Sequence, residues 1–276
     1  VTDSYRCISP GELAPADIRR RRCRLGIVRK TAWLFGREEL FQRVLRSSLK
    51  ALSGERCGFA VPSVWSMAAC GRRLQFDCAT EQIAMHLADW VGCGEKFWHV
   101  NDHFLGSGDW VPLLKPSVDT FVAREAEELY ACALDYRATE TYAVLKQAAL
   151  DGRPVRRQQL LLDRPEHLDR YFEQFVSLFR SIQDKGMLPC AELPMKGRAA
   201  LHERDIGVAI GAGGELYRLP GGQHRTAIAR VLGLASLPVE VRLVHVGWLH
   251  NLIEESGEQP LLALYRGIGH LAPPLH

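Results

Sequence analysis

Apolar residues recur at helical spacing along most of the chain. In "TAWLFGREELFQRVLRSSLKAL" (31–52), Leu34, Phe41, Leu45, Leu49 and Leu52 fall on one stripe, while Arg37, Arg43, Arg46 and Lys50 lie largely off it. "EQIAMHLADWV" (81–91) also reads as a helix, as do "DTFVAREAEELYACALD" (119–135) and "TETYAVLKQAALDG" (139–152). The last of these is stopped by Gly152 and Pro154. The strongest stripe is Leu168, Phe172, Phe175, Leu178, Phe179 and Ile182, which predicts a helix over 164–188 ended by Gly186. After residue 204 the pattern changes. "DIGVAI" (205–210) is a short apolar strand, "GAGG" (211–214) a hairpin turn and "ELYRL" (215–219) the returning strand. "TAIARVLGL" is a helix closed by Gly233, and "LPVEVRLVHV" (237–246) alternates as a strand does. Residues 1–18, with Pro10, Gly11 and Pro15, read as a loop or frayed tail. Residues 93–110 read as a loop or strand-and-turn region.

Composition places the chain among ordinary globular proteins. Its 276 residues are 47% hydrophobic and 24% charged, and no apolar run reaches the roughly 18 residues of a membrane span. The charge is uneven. Residues 1–50 hold 12 Lys/Arg against 5 Asp/Glu, including the run Arg19 to Arg22, so a whole-chain balance of +3 leaves the remainder net acidic. A basic nucleic-acid-binding core is therefore not expected. The basic helix of 31–52 has two readings, a contact with an anionic membrane surface through residues 19–50 and a docking helix with a solvated basic face; the second is favoured. The eight cysteines form no C-x-x-C pair and stand in a chain without an export-signal pattern. They are read as reduced thiols of a cytoplasmic protein.

The richest chemistry lies in "LPGGQHRTAIARVLGL" (219–234). Gly221 and Gly222 allow positive φ and close backbone approach. Free N–H groups at the start of the following helix favour an anion. Arg225 offers a planar fork for phosphate oxygens, and His224 a donor or proton carrier. Gln223 and Thr226 complete the set of candidate contacts. A tight turn carrying an exposed basic pair is the plainer alternative. Elsewhere, Asp102, His103 and Asp109 are loop candidates for a base or metal ligand, although Asp beside Gly more often makes a turn.

Residues 172–246 resemble the ParB/sulfiredoxin fold. "SIQDKGML" (181–188) is similar to the ParB helix ending S-I-x-x-x-G-L, and "GGQHRTAIARVLGLASLPVEV" (221–241) to its Gly-rich loop, helix and following strand. "GGQHR" also looks like the G-G-C-H-R of sulfiredoxins, and "SLFRSI" (177–182) like their S-L-x-x-T-I. The resemblance implies an α+β fold, with a small sheet and helices over 111–250, "LLKPSVD" (113–119) as its first strand and 120–165 as a helical insertion. A mainly helical region over 1–110 would precede it and a tail over 251–276 would follow. It further implies a nucleotide site that includes Ser177 and Ser181 as well as Gly221 to Thr226.

One departure redirects the expected chemistry. Gln223 stands where sulfiredoxins carry the nucleophilic Cys, and an amide does not attack as a thiolate does. The region after Val246 also gives no sign of the DNA-binding helices that follow a ParB nucleotide domain. What remains is phosphoryl transfer from ATP or CTP, with Mg²⁺, to a small hydroxylated metabolite or sugar. Glu203, Asp205 and His224 are the candidate catalytic groups. The alternative is a nucleotide-gated binding module with little turnover, and a nuclease lacks the clustered carboxylates it needs.

Overall fold

The computed structural model describes residues 4–157, 160–189, 192 and 205–272. A short strand, β1 (Arg6–Cys7), precedes α1 (Pro15–Thr31), a basic helix with no buried residue. A 3-10 turn at Ala32–Gly36 leads into α2 (Glu38–Leu52). Phe41, Leu45, Leu49 and Leu52 are all buried, so the apolar stripe of α2 docks on the core. Leu34 does not join them and is 41% exposed. It lies in the 3-10 turn, where the neighbouring Phe35 faces inward instead and stacks on Trp65 with ring centroids 3.7 Å apart.

The next segment is richer in strands than its pattern predicts. It holds β2 (Gly58–Pro62), α3 (Ser63–Cys70), β3 (Gln75–Ala79), β4 (Met85–Leu87), β5 (Trp90–Cys93), β6 (Lys96–His99), β7 (His103–Ser107) and β8 (Leu114–Pro116). The helix expected over 81–91 is instead a 3-10 turn followed by β4 and β5. Its buried residues Ile83, Leu87 and Val91 are spaced by four. That interval fits one helix stripe and, being even, also one face of extended chain. The chain then forms α4 (Phe121–Ala131), α5 (Glu140–Leu150), the hairpin β9 (Val155–Arg157) and β10 (Leu160–Leu162), and the long α6 (Pro165–Lys185) ended at Gly186. Phe172, Phe175 and Phe179 of α6 join Val122, Leu129 and Leu145 in a core of their own.

The C-terminal elements are β11 (Ile206–Ile210), β12 (Leu216–Arg218), α7 (Gln223–Val231), β13 (Ser236–His245), α8 (Val246–Ser256) and α9 (Pro260–Leu271). Together with earlier strands they make an eight-stranded mixed sheet, ordered β2-β7-β13-β11-β12-β4-β8, with β3 also paired to β13. β11 and β13 run parallel, and β13 continues parallel onto β7. The protein is thus α+β. The boundary expected at residue 110 runs through this sheet, since β2, β3, β4 and β7 all precede it. The tail expected over 251–276 is also corrected: Leu261, Leu264 and Ile268 of α9 belong to the main core. Its apolar residues Leu261, Leu264 and Ile268 fall at i, i+3 and i+7, an amphipathic signal that reading the segment as a tail overlooks.

The reading of every cysteine as a free thiol fails at one pair. Cys57 and Cys93 form a disulfide, with Cα atoms 6.4 Å apart. β5 carries Cys93 beside the start of β2, a proximity that sequence spacing does not reveal. Cys7, Cys23, Cys70, Cys78 and Cys132 are free. Among the described residues, no helix is long and apolar enough to cross a membrane.

Candidate functional site

The Gly-Gly loop is built as its residues require. Leu219 N–H donates to the Gly207 carbonyl (2.8 Å), tying the end of β12 to β11. Gly221 and Gly222 then take φ of 106° and 67°. A Cβ on Gly222 would stand 3.0 Å from the Ile206 side chain, so this position needs glycine for space as well as conformation. Gly222 caps α7 without a side-chain bond. Its carbonyl accepts from both the N–H and the hydroxyl of Thr226, each at 3.0 Å. The first N–H groups of α7 therefore lack intrahelical acceptors, as at any helix start.

A cavity of about 320 Å³ opens along this helix, lined among others by Gln223, Thr226 and Arg230 of α7, Arg218 of β12, and Ser117 and Thr120 ahead of α4. Arg218 is only 3% exposed. Burial pulls its guanidinium down to about 10; Asp89 opposes that shift and Arg230 adds to it. Arg218 Nη1 donates to the carbonyls of Leu219 (3.1 Å) and Gly221 (3.3 Å). Arg230 is also shifted down by burial, and it donates to the Ile83 carbonyl. Among the described residues, neither arginine has a carboxylate within 4.0 Å. The Ser117 hydroxyl is buried without a hydrogen-bond partner. Glu127 and Tyr130 also line the cavity. One buried guanidinium, one half-buried guanidinium and an unsatisfied hydroxyl share this space, a set of donors with the chemistry to hold an anion.

The residues expected to hold phosphate divide around this cavity. Gln223 and Thr226 line it. Arg225 does not. It is 8% exposed, donates to Met187 Sδ (3.2 Å) and the Leu188 carbonyl, and stands 3.7 Å from Asp205 Oδ1. His224 turns toward α6, with its ring 4.5 Å from that of Phe175 and Nε2 3.2 Å from the Tyr171 hydroxyl. Burial pushes His224 down to about 4, which keeps it neutral. Tyr171 in turn donates to Glu125 Oε2 (2.6 Å), and Arg157 Nε reaches Glu125 Oε1 (3.1 Å). Ser177 and Ser181 are exposed on α6, off its buried stripe, and Ser177 lines a different surface hollow with Asp135 and Arg180.

The expected catalytic carboxylates fare similarly. Asp205 is 5% exposed, pairs with Arg225 and accepts from Gln75 Nε2 (3.1 Å). Glu203 lies outside the described residues. Asp109 makes the turn that its neighbours imply, accepting from Val111 N–H at 2.9 Å. Asp102 is gripped by Arg21, and His103 is buried in β7. Among the described residues, no group of three or more His, Cys, Asp or Glu side chains is arranged to hold a metal ion.

Sequence reasoning missed Arg218, Arg230, Ser117 and Thr120. One signal was present: Gln223, Thr226 and Arg230 fall at i, i+3 and i+7, one face of α7. Nothing in the spacing places Ser117 or Thr120 opposite that face. Compared with known protein families, curated proteins and solved structures, the chain matches none of them.

Proposed function

We propose that this chain binds a nucleotide, ATP or CTP, with its phosphates in the α7 cavity against Arg218, Arg230, Ser117 and the first N–H groups of α7. The observation that carries the reading is a pair of arginines, Arg218 buried and Arg230 half-buried, that face one cavity and, among the described residues, have no carboxylate within 4.0 Å. Burying an unpaired cation is unfavourable, and a phosphate replaces the lost water with charge-assisted bonds. The order β11, turn, β12, Gly-Gly loop, α7, β13 supports the resemblance to the ParB/sulfiredoxin fold, in which such a loop holds nucleotide.

The test is calorimetric titration with ATP, CTP and pyrophosphate. Arg218→Met and Arg230→Met should each weaken binding about tenfold or more, since a hydrogen bond to a charged group contributes about 1.5–3 kcal/mol. Wild-type protein that binds none of the three overturns the reading.

The second reading is phosphoryl transfer to a small hydroxylated acceptor. One observation favours it: Glu127 lines the same cavity as the arginines. A single carboxylate together with substrate phosphates is a common way to hold Mg²⁺. Glu127 therefore fits that task, whereas Asp205, committed to Arg225, does not. Acceptor-dependent release of ADP that is lost in Glu127→Gln distinguishes transfer from a nucleotide-gated binding module.

A further inference from the structure

A second cavity, of about 290 Å³, lies between α1 and the strands β5, β6 and β7. It shares no lining residue with the α7 cavity. Trp90, Phe97 and Trp98 line it, and α1 adds Leu25 and Val28. Phe97 is 36% exposed, so its ring is reachable from solvent.

The charges around these rings do not balance. Arg21 is spoken for: its Nε and Nη2 grip Asp102 at 2.6 and 2.7 Å, and its guanidinium covers the Trp90 ring at 5.0 Å. Arg20 has a loose partner in Asp17 at 4.0 Å. Arg24 also lines the cavity and, among the described residues, has no carboxylate within 4.0 Å. Three guanidiniums thus face two carboxylates, with one positive charge left over. His99 is a second neighbour of Asp102, its Nδ1 3.5 Å from Asp102 Oδ1, while its ring edge meets Trp90 at 4.9 Å.

We infer that this cavity binds a small planar aromatic monoanion, with its ring among Trp90, Phe97 and Trp98 and its acid group at Arg24. Aromatic walls favour a flat ring by stacking and edge contacts, and the spare guanidinium selects an acid over a neutral ring. The residues are independent of the proposed nucleotide site, so the two readings stand or fall separately.

The probe is 2-naphthoate, titrated calorimetrically into the full-length chain. One molecule should bind. Arg24→Ala should weaken binding about tenfold or more, and Arg24→Lys should recover part of that loss. Phe97→Ala should also weaken it, while Arg22→Ala, on the same helix but off the cavity, and Arg218→Met should leave it unchanged. The neutral analogue 2-naphthol should bind at least about tenfold more weakly. The inference is overturned if 2-naphthoate fails to bind, if 2-naphthol binds equally well, or if folded Arg24→Ala binds as the wild type does.

Discussion

Arg225 Nη1 stands 3.7 Å from Asp205 Oδ1, and the side chains are only 10% and 4% exposed. The sequence assigns them separate tasks, phosphate holding and acid–base work, yet the fold turns them toward each other. Asp205 sits just ahead of β11 and Arg225 in the first turn of α7, so their pairing locks the helix start onto the sheet.

Arg225→Ala should therefore act on stability. Removing one partner of a buried ion pair leaves the other charge desolvated, at a cost of about 3–5 kcal/mol. Urea denaturation should show a loss of that order. If the variant instead keeps wild-type stability and loses only nucleotide affinity, Arg225 is a phosphate contact after all.

His224 gives a pH dependence with a defined sign. Burial lowers it to about 4 in the folded chain, against an unfolded value of about 6.5. Between these values the unfolded chain binds a proton that the folded chain excludes. This contribution to stability is full above about pH 6.5 and is lost as pH falls toward 4, by about 3 kcal/mol at about 1.4 kcal/mol per unit. His86 and His103, also lowered to about 4, act in the same direction. His224→Gln should reduce proton uptake on unfolding by about one in this window, read from denaturation midpoints at several pH values. An unchanged slope would mean that the ring is hydrated.

The Cys57–Cys93 link closes a loop with a sequence separation of 36. Chain entropy for a loop of that length predicts about 4 kcal/mol of stabilisation. Replacing both cysteines by alanine should lower stability by that order under oxidising conditions, and reductant should bring the wild type toward the variant. Stability indifferent to reductant and to the double replacement would show that the link contributes nothing.

Leu45 is fully buried in α2, while Arg46 beside it is exposed. Leu45→Ala should cost about 2–5 kcal/mol and Arg46→Ala no more than about 0.5 kcal/mol. Equal effects would contradict the docking of this helix through its apolar stripe.

Local chemistry determined much of the fold. The stripes of α2, α4, α5 and α6, and the succession from β11 to β13, are legible because burial demands apolar residues at the period of each element. The Gly-Gly loop is legible because only glycine takes its φ with Ile206 so close. Where two periods coincide, as at Ile83, Leu87 and Val91, the pattern is silent, and tertiary pairing chose strand. Three things were decided only by the three-dimensional arrangement: the joining of β2, β3, β4 and β7 to the C-terminal strands, the approach of Cys57 to Cys93, and the facing of Ser117 and Thr120 toward Arg218 and Arg230. Each depends on contacts between residues far apart in the chain, and spacing along a sequence carries no record of such contacts. For the same reason the sequence singled out Arg225, which the fold sets beside Asp205, and passed over Arg218 and Arg230, which line the cavity. It shows which side chains have the chemistry for an anion, but only packing decides which guanidinium receives a carboxylate and which is left facing a cavity.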